Sequence, residues 1–397
     1  MERILTTQLA AHAGEQVVLR GWLHRQRRLS RVAFVVLRDR AGTAQIVVDE
    51  GLDLLPETVI EVRGQAVPSE QAPGGVEVHE AQLRVLAQPT APPPVELHRP
   101  EPRESLPVRL DHAQVSLRHP AVRERFKQAA RAVAAFRRTL EELEFTEIQS
   151  PKIVGAATEG GANVFRVDYF GRDAFLAQSP QLYKQMMVGV FERVFETGPV
   201  FRAEPHETGR HLAEYYSLDA ELGFIEDHRD VMRVVERCVR AMLTAVGAPV
   251  PEQIPVVRFA DVRTGSEPDL APADERRICA EFGELVFVEG FPTAKRAFYT
   301  HPGPDPEWSN SFDLLYRGLE IVSGSQRLHR YDDYVAALRA RGLDPGPFAD
   351  YLDAFRWGIP PHGGFALGLE RFIAQVAGVS NVREVTLFPR DRTRLRP

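Results

Sequence analysis

The stretch Gly198–Phe224, GPVFRAEPHETGRHLAEYYSLDAELGF, decides how the chain reads. Its runs Pro199–Ala203 and Tyr215–Phe224 carry β-formers, while Pro205 and Gly209 punctuate the segment between them, which predicts a hairpin. Arg202 and Glu204 stand two apart, so on a strand they share one face. The connecting segment is dense in ionisable groups: Glu204, His206, Glu207, Arg210, His211 and Glu214. Cations and carboxylates on one face of an otherwise apolar hairpin suit the floor of a site for a polyanion. On this stretch alone a solvated surface loop is the other reading.

Towards the C-terminus, Asn310–Gly318 leads through a turn into Leu319–Arg327. A strand there sets Glu320 between Leu319 and Ile321, and a carboxylate so placed has to be paired, metal-bound or solvated in a cleft. Asp332–Arg341 reads as a helix. Pro360–Ile373 joins a glycine-rich strand to a helix, where glycine permits close backbone approach and the helix start offers free N–H groups to an anion. Arg371 falls in the opening turn of that helix, where a cation opposes the helix dipole; facing a phosphate would resolve that conflict. Neither GxxxxGK[ST] nor GxGxxG occurs, so no P-loop or dinucleotide fold is indicated.

Towards the N-terminus, Val122, Phe126, Ala129, Val133, Phe136, Leu140 and Leu143 recur at spacings of 4, 3, 4, 3, 4 and 3. They predict one long amphipathic helix from Pro120 to about Glu144, then a strand over Phe145–Gln149. A loop, Thr158–Gly161, precedes strands over Val164–Phe170 and Ala174–Ala177. A helix opens at Pro180 and sets Gln181 and Lys184 three apart on one face. Another helix spans Arg229–Gly247. Residues 248–290 predict only one or two short helices.

Residues 16–86 hold five candidate strands, Gln16–Leu23, Ala33–Arg38, Thr43–Asp49, Val59–Val67 and Val76–Leu86, which suit a small Greek-key barrel of the oligonucleotide-binding type. The cationic stretch His24–Arg31 falls between the first two, as a binding loop for single-stranded bases or an ordinary solvated loop. Residues 88–107 are proline-rich and lack periodicity, as an extended linker does. The chain therefore reads as α+β in three parts: a five-stranded barrel over 1–88, a linker over 89–115 and a larger domain over 116–397.

Composition narrows the class. Apolar content is 44%, charge 26% and net charge −6, ordinary for a water-soluble enzyme and weak grounds against non-specific coating of nucleic acid. Cys238 and Cys279 are too few for a disulfide framework or a thiolate zinc site. No apolar run approaches a membrane span and the N-terminus lacks a signal-peptide build, so a cytoplasmic location is expected. Lysine occurs only as Lys127, Lys152, Lys184 and Lys295.

Taken in order, these pieces resemble the three motifs of the class II aminoacyl-tRNA synthetases. The segments QSPQLYKQ (178–185), FRAE (201–204), RHLAE (210–214), SNSFDL (309–314), SGSQRLH (323–329) and PPHGGFALGLER (360–371) look like an aspartyl-tRNA synthetase of the archaeal type. The resemblance covers nearly the whole chain. It implies an antiparallel sheet flanked by helices, a homodimer formed partly through the long helix, and ATP bent across the sheet with Mg2+. It further implies activation of L-aspartate and transfer to tRNA-Asp. By position, Arg202 and Arg371 would be the catalytic cations, at the α-phosphate and the far end of the triphosphate. Ala203, Glu204, Arg210, His211, Leu212, Tyr215, Glu320, Gly368, Leu369 and Glu370 would complete the ATP site, with Tyr215 stacked on adenine. Glu320 and Ser323 match metal-binding positions. Arg327 and Lys184 match the grip on the aspartate side chain, with Glu159, Gln181, Leu182, Tyr183, Arg202 and Ser323 around the amino acid and Thr158–Gly161 as its closing loop.

The barrel would read the anticodon through His24, Arg25, Arg28 and Pro73. A His and a Pro at such positions accompany enzymes that also accept tRNA-Asn, whose product feeds an amidotransferase. Pro205 and Ala213 depart from the pattern, which puts local loop contacts in question. The alternatives are an asparaginyl-tRNA synthetase, an inactive tRNA-binding paralogue and an ATP-dependent amino-acid ligase; the barrel disfavours the last.

Overall fold

The hairpin that opens the sequence reading forms two neighbouring strands of an eight-stranded sheet, one strand in from its edge, in the computed structural model, which describes residues 2–29, 32–155, 163–205, 207–265 and 267–396. The chain divides into two units, Met1–Arg123 and Glu124–Pro397.

In the first unit, β1 (Gln16–Arg28), β2 (Ala33–Arg38), β3 (Thr43–Val48), β4 (Val59–Pro68) and β5 (Val76–Ala87) close into a barrel in the order β1-β2-β3-β5-β4. Alternating residues fill it: Val17, Leu19, Leu23, Val35, Leu37, Ile46, Ile60, Val62 and Val78 are all buried. One expectation fails here. The first strand does not stop at Leu23 but continues to Arg28 across a bulge at His24, where the pairing with β2 slips between Leu23 and Arg25. A bulge accommodates the extra residue without ending the ladder, so Arg25 and Arg28 sit on a strand and not in a loop. Ser30 and Arg31 lie outside the described residues.

The second unit's sheet runs β12-β13-β14-β15-β16-β11-β10-β6. Its strands are β6 (Thr146–Glu147), β10 (Arg193–Phe201), β11 (Glu214–Gly223), β12 (Val256–Arg258), β13 (Leu285–Glu289), β14 (Ser311–Tyr316), β15 (Leu319–Gln326) and β16 (His362–Gly368). The central strands pair antiparallel, while the outermost pairs, β12 with β13 and β6 with β10, are parallel. A separate three-stranded sheet holds β7 (Ile153–Val154), β8 (Arg166–Tyr169) and β9 (Arg172–Leu176).

The long helix is present as Pro120–Glu142, and its Phe136 meets Phe195 of β10 and Phe365 of β16 edge-on, each at 6.2 Å. The helix His228–Val246 packs on the same core; Asp227 caps its start by accepting from the Arg229 N–H at 2.7 Å, and Gly247 ends it in the left-handed region. A second apolar cluster joins helices Gln181–Phe191, Tyr331–Ala340 and Ala349–Arg356. Among the described residues no helix is long and apolar enough to cross a membrane.

Candidate active site

β10 ends at Phe201, paired with Glu214, and one further backbone bond, Arg202 N–H to Ala213 O at 2.9 Å, carries the hairpin into its loop. Arg202 and Glu204 therefore lie just past the strand, not on its face. They still meet: Arg202 Nη1 is 3.9 Å from Glu204 Oε1, and His211 Nε2 is 3.7 Å from the other Glu204 oxygen. The Arg202 guanidinium carbon stands 5.7 Å from the Tyr215 ring centre. Arg210 turns to Glu275, reaching both carboxylate oxygens at 2.9 Å. His206 lies outside the described residues.

Opposite this loop, Glu320 on β15 faces Arg371, the third residue of the helix Leu369–Ala377. Arg371 Nη1 is 3.5 Å from Glu320 Oε1 and donates to the Glu320 carbonyl at 3.2 Å. The carboxylate relieves the cation's conflict with the helix dipole. Glu370 turns inwards, where the Tyr216 N–H donates to its two oxygens at 3.0 and 3.1 Å. Burial, partly offset by those backbone bonds, pushes its carboxyl up to about 7. Arg202, Glu204, Arg210, His211, Leu212, Tyr215, Glu320, Ser323, Gly368, Glu370 and Arg371 line one open cleft of about 690 Å³. Ala203 and Leu369 are not among its lining residues; Leu369 packs into the core beneath.

This cleft runs into a second, of about 1520 Å³, through the shared residues Arg202, Tyr215, Ser217, Glu320, Ser323 and Ala366. Period-two geometry sets Ser217, Asp219 and Glu221 on one face of β11, all buried; the first two line the cleft and Glu221 lies behind them. Lys184 Nζ lies 3.0 Å from Asp219 Oδ1 and 3.4 Å from Glu221 Oε2, and donates to Phe365 O at 2.9 Å. Arg327 donates from Nε to Glu221 Oε1 at 2.9 Å, from Nη1 to Ser325 Oγ at 2.6 Å and from Nη2 to Gln181 Oε1 at 3.3 Å. Burial raises the Glu221 carboxyl, but Arg327 and Lys184 together hold it below the usual carboxylate range. Gly364 lets β16 cross over this acid, since a Cβ there would run into Glu221 and the Ala220 carbonyl. Close approach was the expected use of that glycine-rich strand; what it approaches is a buried carboxylate.

Arg327 and Gln181 line the second cleft, whereas Lys184 lies beneath it, 1% exposed. Leu182 and Tyr183 do not line it; Leu182 packs on the second apolar cluster. Gln181 Nε2 is buried without a protein partner, a donor available to a ligand. Glu159 and its loop Thr158–Gly161 lie outside the described residues.

Two residues complete the wall: Arg296, absent from the sequence reading, and Asp313, which falls in the SNSFDL segment but is given no role there. Arg296 donates to Asp313 Oδ2 at 2.9 Å and to Ser323 Oγ at 3.2 Å, with its guanidinium carbon 3.8 Å from the Phe291 ring centre. Burial pushes the Asp313 carboxyl up, Arg296 pulls it back, and Glu320 adds to the rise. Among the described residues no three His, Cys, Asp or Glu side chains gather to hold a metal unaided. The oxygens of Glu320 and Ser323 are hard donors on the rim shared by both clefts. That fits Mg2+, which takes one or two carboxylates and completes its shell with phosphate and water.

In the barrel, Arg38 Nη1 donates to His24 Nδ1 at 3.0 Å, and Arg38 is paired with the buried Glu57 at 2.8 Å. Burial and then Arg38 lower His24 to about 4, so it is a neutral acceptor. Arg25 is exposed, Arg28 donates to Leu52 O at 2.7 Å, and Pro73 is exposed at the tip of the β4–β5 hairpin.

Residues 105–392 match the family model for class II tRNA synthetases (D, K and N), and residues 17–86 match that for the OB-fold nucleic acid binding domain. The chain is 44% identical to the aspartate–tRNA(Asp/Asn) ligase of Thermus thermophilus, over all of both chains. It is 43% identical to the enzyme of that name from Deinococcus radiodurans, over 100% of this chain and 99% of the other. The structure superposes on asparaginyl-tRNA synthetase from Pyrococcus horikoshii complexed with asparaginyl-adenylate with a TM-score of 0.92, at 30% identity and full coverage of both chains.

Proposed function

The chain belongs to the class II tRNA synthetases of the D, K and N group, and from that premise we propose that it is an aspartate–tRNA ligase acting on both tRNA-Asp and tRNA-Asn. The observation that carries the choice of amino acid is Arg327, a buried guanidinium at the wall of the second cleft with Lys184 below it. A planar fork of donors matches a carboxylate, whereas an amide in its place brings no charge and turns N–H groups towards those donors. The two relatives named as Asp/Asn ligases agree with this reading across the full length.

ATP occupies the first cleft, its adenine against Tyr215 and its phosphates between Arg202 and Arg371. Aspartate occupies the second, its side chain on Arg327 and its amino group near Gln181. The α-carboxylate oxygen attacks the α-phosphorus, an O–P bond forms, and the bond to pyrophosphate breaks. Arg202 neutralises charge developing at that phosphate, and holding the two substrates in line supplies much of the remaining acceleration. Glu320 and Ser323 would hold Mg2+, which supplies positive charge at the phosphates. The terminal ribose hydroxyl of the tRNA then attacks the aspartyl carbonyl, and AMP leaves. His24, Arg25, Arg28 and Pro73 read the anticodon. The long helix Pro120–Glu142 contributes to a homodimer, the enzyme works in the cytoplasm, and its Asp-tRNA-Asn passes to an amidotransferase.

The test is ATP–pyrophosphate exchange with aspartate and with asparagine, followed by charging of both tRNA transcripts. Exchange driven by asparagine alone replaces this reading with an asparaginyl-tRNA synthetase. Absence of aspartylation on tRNA-Asn removes the dual specificity.

A further inference from the structure

Behind Arg327 lies a polar cluster that the reaction does not touch. Gln185, Tyr334, Tyr351 and His362 are all buried within the second apolar cluster or at its edge. Their hydrogen bonds admit one consistent assignment of donors. The Tyr334 hydroxyl donates to Leu328 O at 2.7 Å, so its oxygen accepts from Gln185 Nε2 at 2.8 Å. The second Nε2 hydrogen of Gln185 points to His362 Nε2 at 3.1 Å, so that nitrogen is bare. His362 Nδ1–H then donates to Pro360 O at 2.9 Å, and the neutral ring agrees with the fall of its pKa to about 4 through burial. Tyr351 OH donates to Gln185 Oε1 at 3.0 Å, which fixes the orientation of the amide.

Both ends of this cluster close on the same short segment. Tyr334 holds the Leu328 carbonyl, and the carbonyl of His362 accepts from the Arg327 N–H at 2.8 Å. The peptide that carries Arg327 is thus gripped from both sides by groups that Gln185 bridges. Gln185 also stands four residues after Gln181 on the helix Gln181–Phe191, and Gln181 receives the guanidinium itself. Apolar residues would fill the same space without needing partners, and a half-satisfied buried network is worse than none. A core that needed only packing has no use for this arrangement.

We infer that Gln185, through Tyr334 and His362, is the positioning residue that sets Arg327 for recognition of the substrate's side-chain carboxylate. This rests on the reading of the second cleft as the amino-acid site. It makes a helix and a satellite core, neither of which meets the substrate through these groups, part of the determinant of amino-acid choice.

Tyr334→Phe removes one oxygen and leaves Leu328 O without its donor, and Gln185→Met removes the bridge at similar volume. Both are assayed by pyrophosphate exchange with varied aspartate and varied ATP. Leaving a buried polar group unpaired predicts a rise of about five- to a hundred-fold in the KM for aspartate, with the KM for ATP within about twofold of wild type. The preference for aspartate over asparagine should fall in parallel. Tyr351→Phe, one bond further from Arg327, gives the same split at smaller amplitude and serves if Gln185→Met does not fold. An unchanged KM for aspartate beside a lowered melting temperature overturns the inference, as does an equal rise in both KM values. A wild-type protein that exchanges with asparagine instead refutes the substrate reading, and the same KM comparison made with asparagine still decides the network.

Discussion

Lys184→Met removes an ammonium 3.0 Å from Asp219 and 3.4 Å from Glu221 while keeping an unbranched chain of similar length. At an effective dielectric near 20, unit charges about 3.5 Å apart attract by ~5 kcal/mol. Part of this offsets desolvation, and removing one partner of a buried pair costs about 3–5 kcal/mol. At about 2 °C per kcal/mol, the low end for a unit of this size, the melting temperature should fall by about 6–10 °C at pH 7.5. The deficit should also depend on pH, with a definite sign. In the wild type Glu221 sits below its ordinary value, because Arg327 and Lys184 outweigh the effect of burial. Its stabilisation is therefore present above the unfolded pKa, about 4.3, and is lost as pH falls through the folded value. In the variant burial keeps its force against one cation fewer, the folded pKa rises, and protonation relieves the strain. The difference between variant and wild type should narrow from pH 7.5 towards pH 5. Adding Glu221→Gln should recover part of the loss at pH 7.5, since the orphaned charge has gone. Scanning calorimetry at one fixed rate measures all three proteins. A deficit under about 2 °C, or one that is flat with pH, would refute the picture of a compensated ion cluster.

Glu370 gives the opposite sign of pH dependence. Burial holds it at about 7 against an ordinary 4.5, so its contribution is complete below about pH 4.5 and is lost as pH rises through 7; Glu370→Gln should flatten that loss, about 3 kcal/mol in melting curves across this range. Tyr215→Ala removes the ring proposed to stack on adenine, and at about 1–3 kcal/mol for base–aromatic stacking the KM for ATP should rise about five- to 150-fold with the KM for aspartate unchanged in pyrophosphate exchange. Arg25→Ala and Arg28→Ala should leave exchange intact but weaken tRNA binding, and each variant should make the salt dependence of binding shallower by about one unit of slope.

The barrel was legible because each of its strands alternates cleanly between turn signals. The one boundary that failed, Leu23 against the observed Arg28, failed because a charged run ordinarily ends a strand, and a bulge at His24 kept this one paired. The long helix, the hairpin and the strand-to-helix step at Gly368 were likewise readable from period and punctuation. β12 and β13 were not, since Val256–Arg258 is three residues long and Leu285–Val288 is a continuous apolar run whose burial on both faces erases alternation. In the site, Arg202 and Glu320 stood out as charges in apolar surroundings, and Arg371 as a cation in the first turn of a helix. Asp219 and Glu221 were in plain view but unassigned. The signal that would have found them is Ser217, Asp219 and Glu221 at period two inside an apolar strand. Asp313 stood in the SNSFDL segment without a role, and Arg296 had no signal, because their pairing depends on how a loop folds back over β14. The network around Gln185 joins residues up to 177 apart in the chain, and only the fold brings them together.

The group in and beneath the second cleft, proposed to take the amino acid, sets two cations, Lys184 and Arg327, against two anions, Asp219 and Glu221. Before any substrate arrives its ledger of whole charges sums to zero. An acidic substrate and its amide differ there by one unit and almost nothing in shape. Size can be tuned a methyl group at a time, but formal charge changes only in integers. A lineage that exchanged one substrate for the other would therefore cross by a single replacement that adds or removes a formal charge, with no intermediate of half the effect. The frame shared with an asparaginyl-tRNA synthetase at a TM-score of 0.92 is a scaffold on which such a replacement would act.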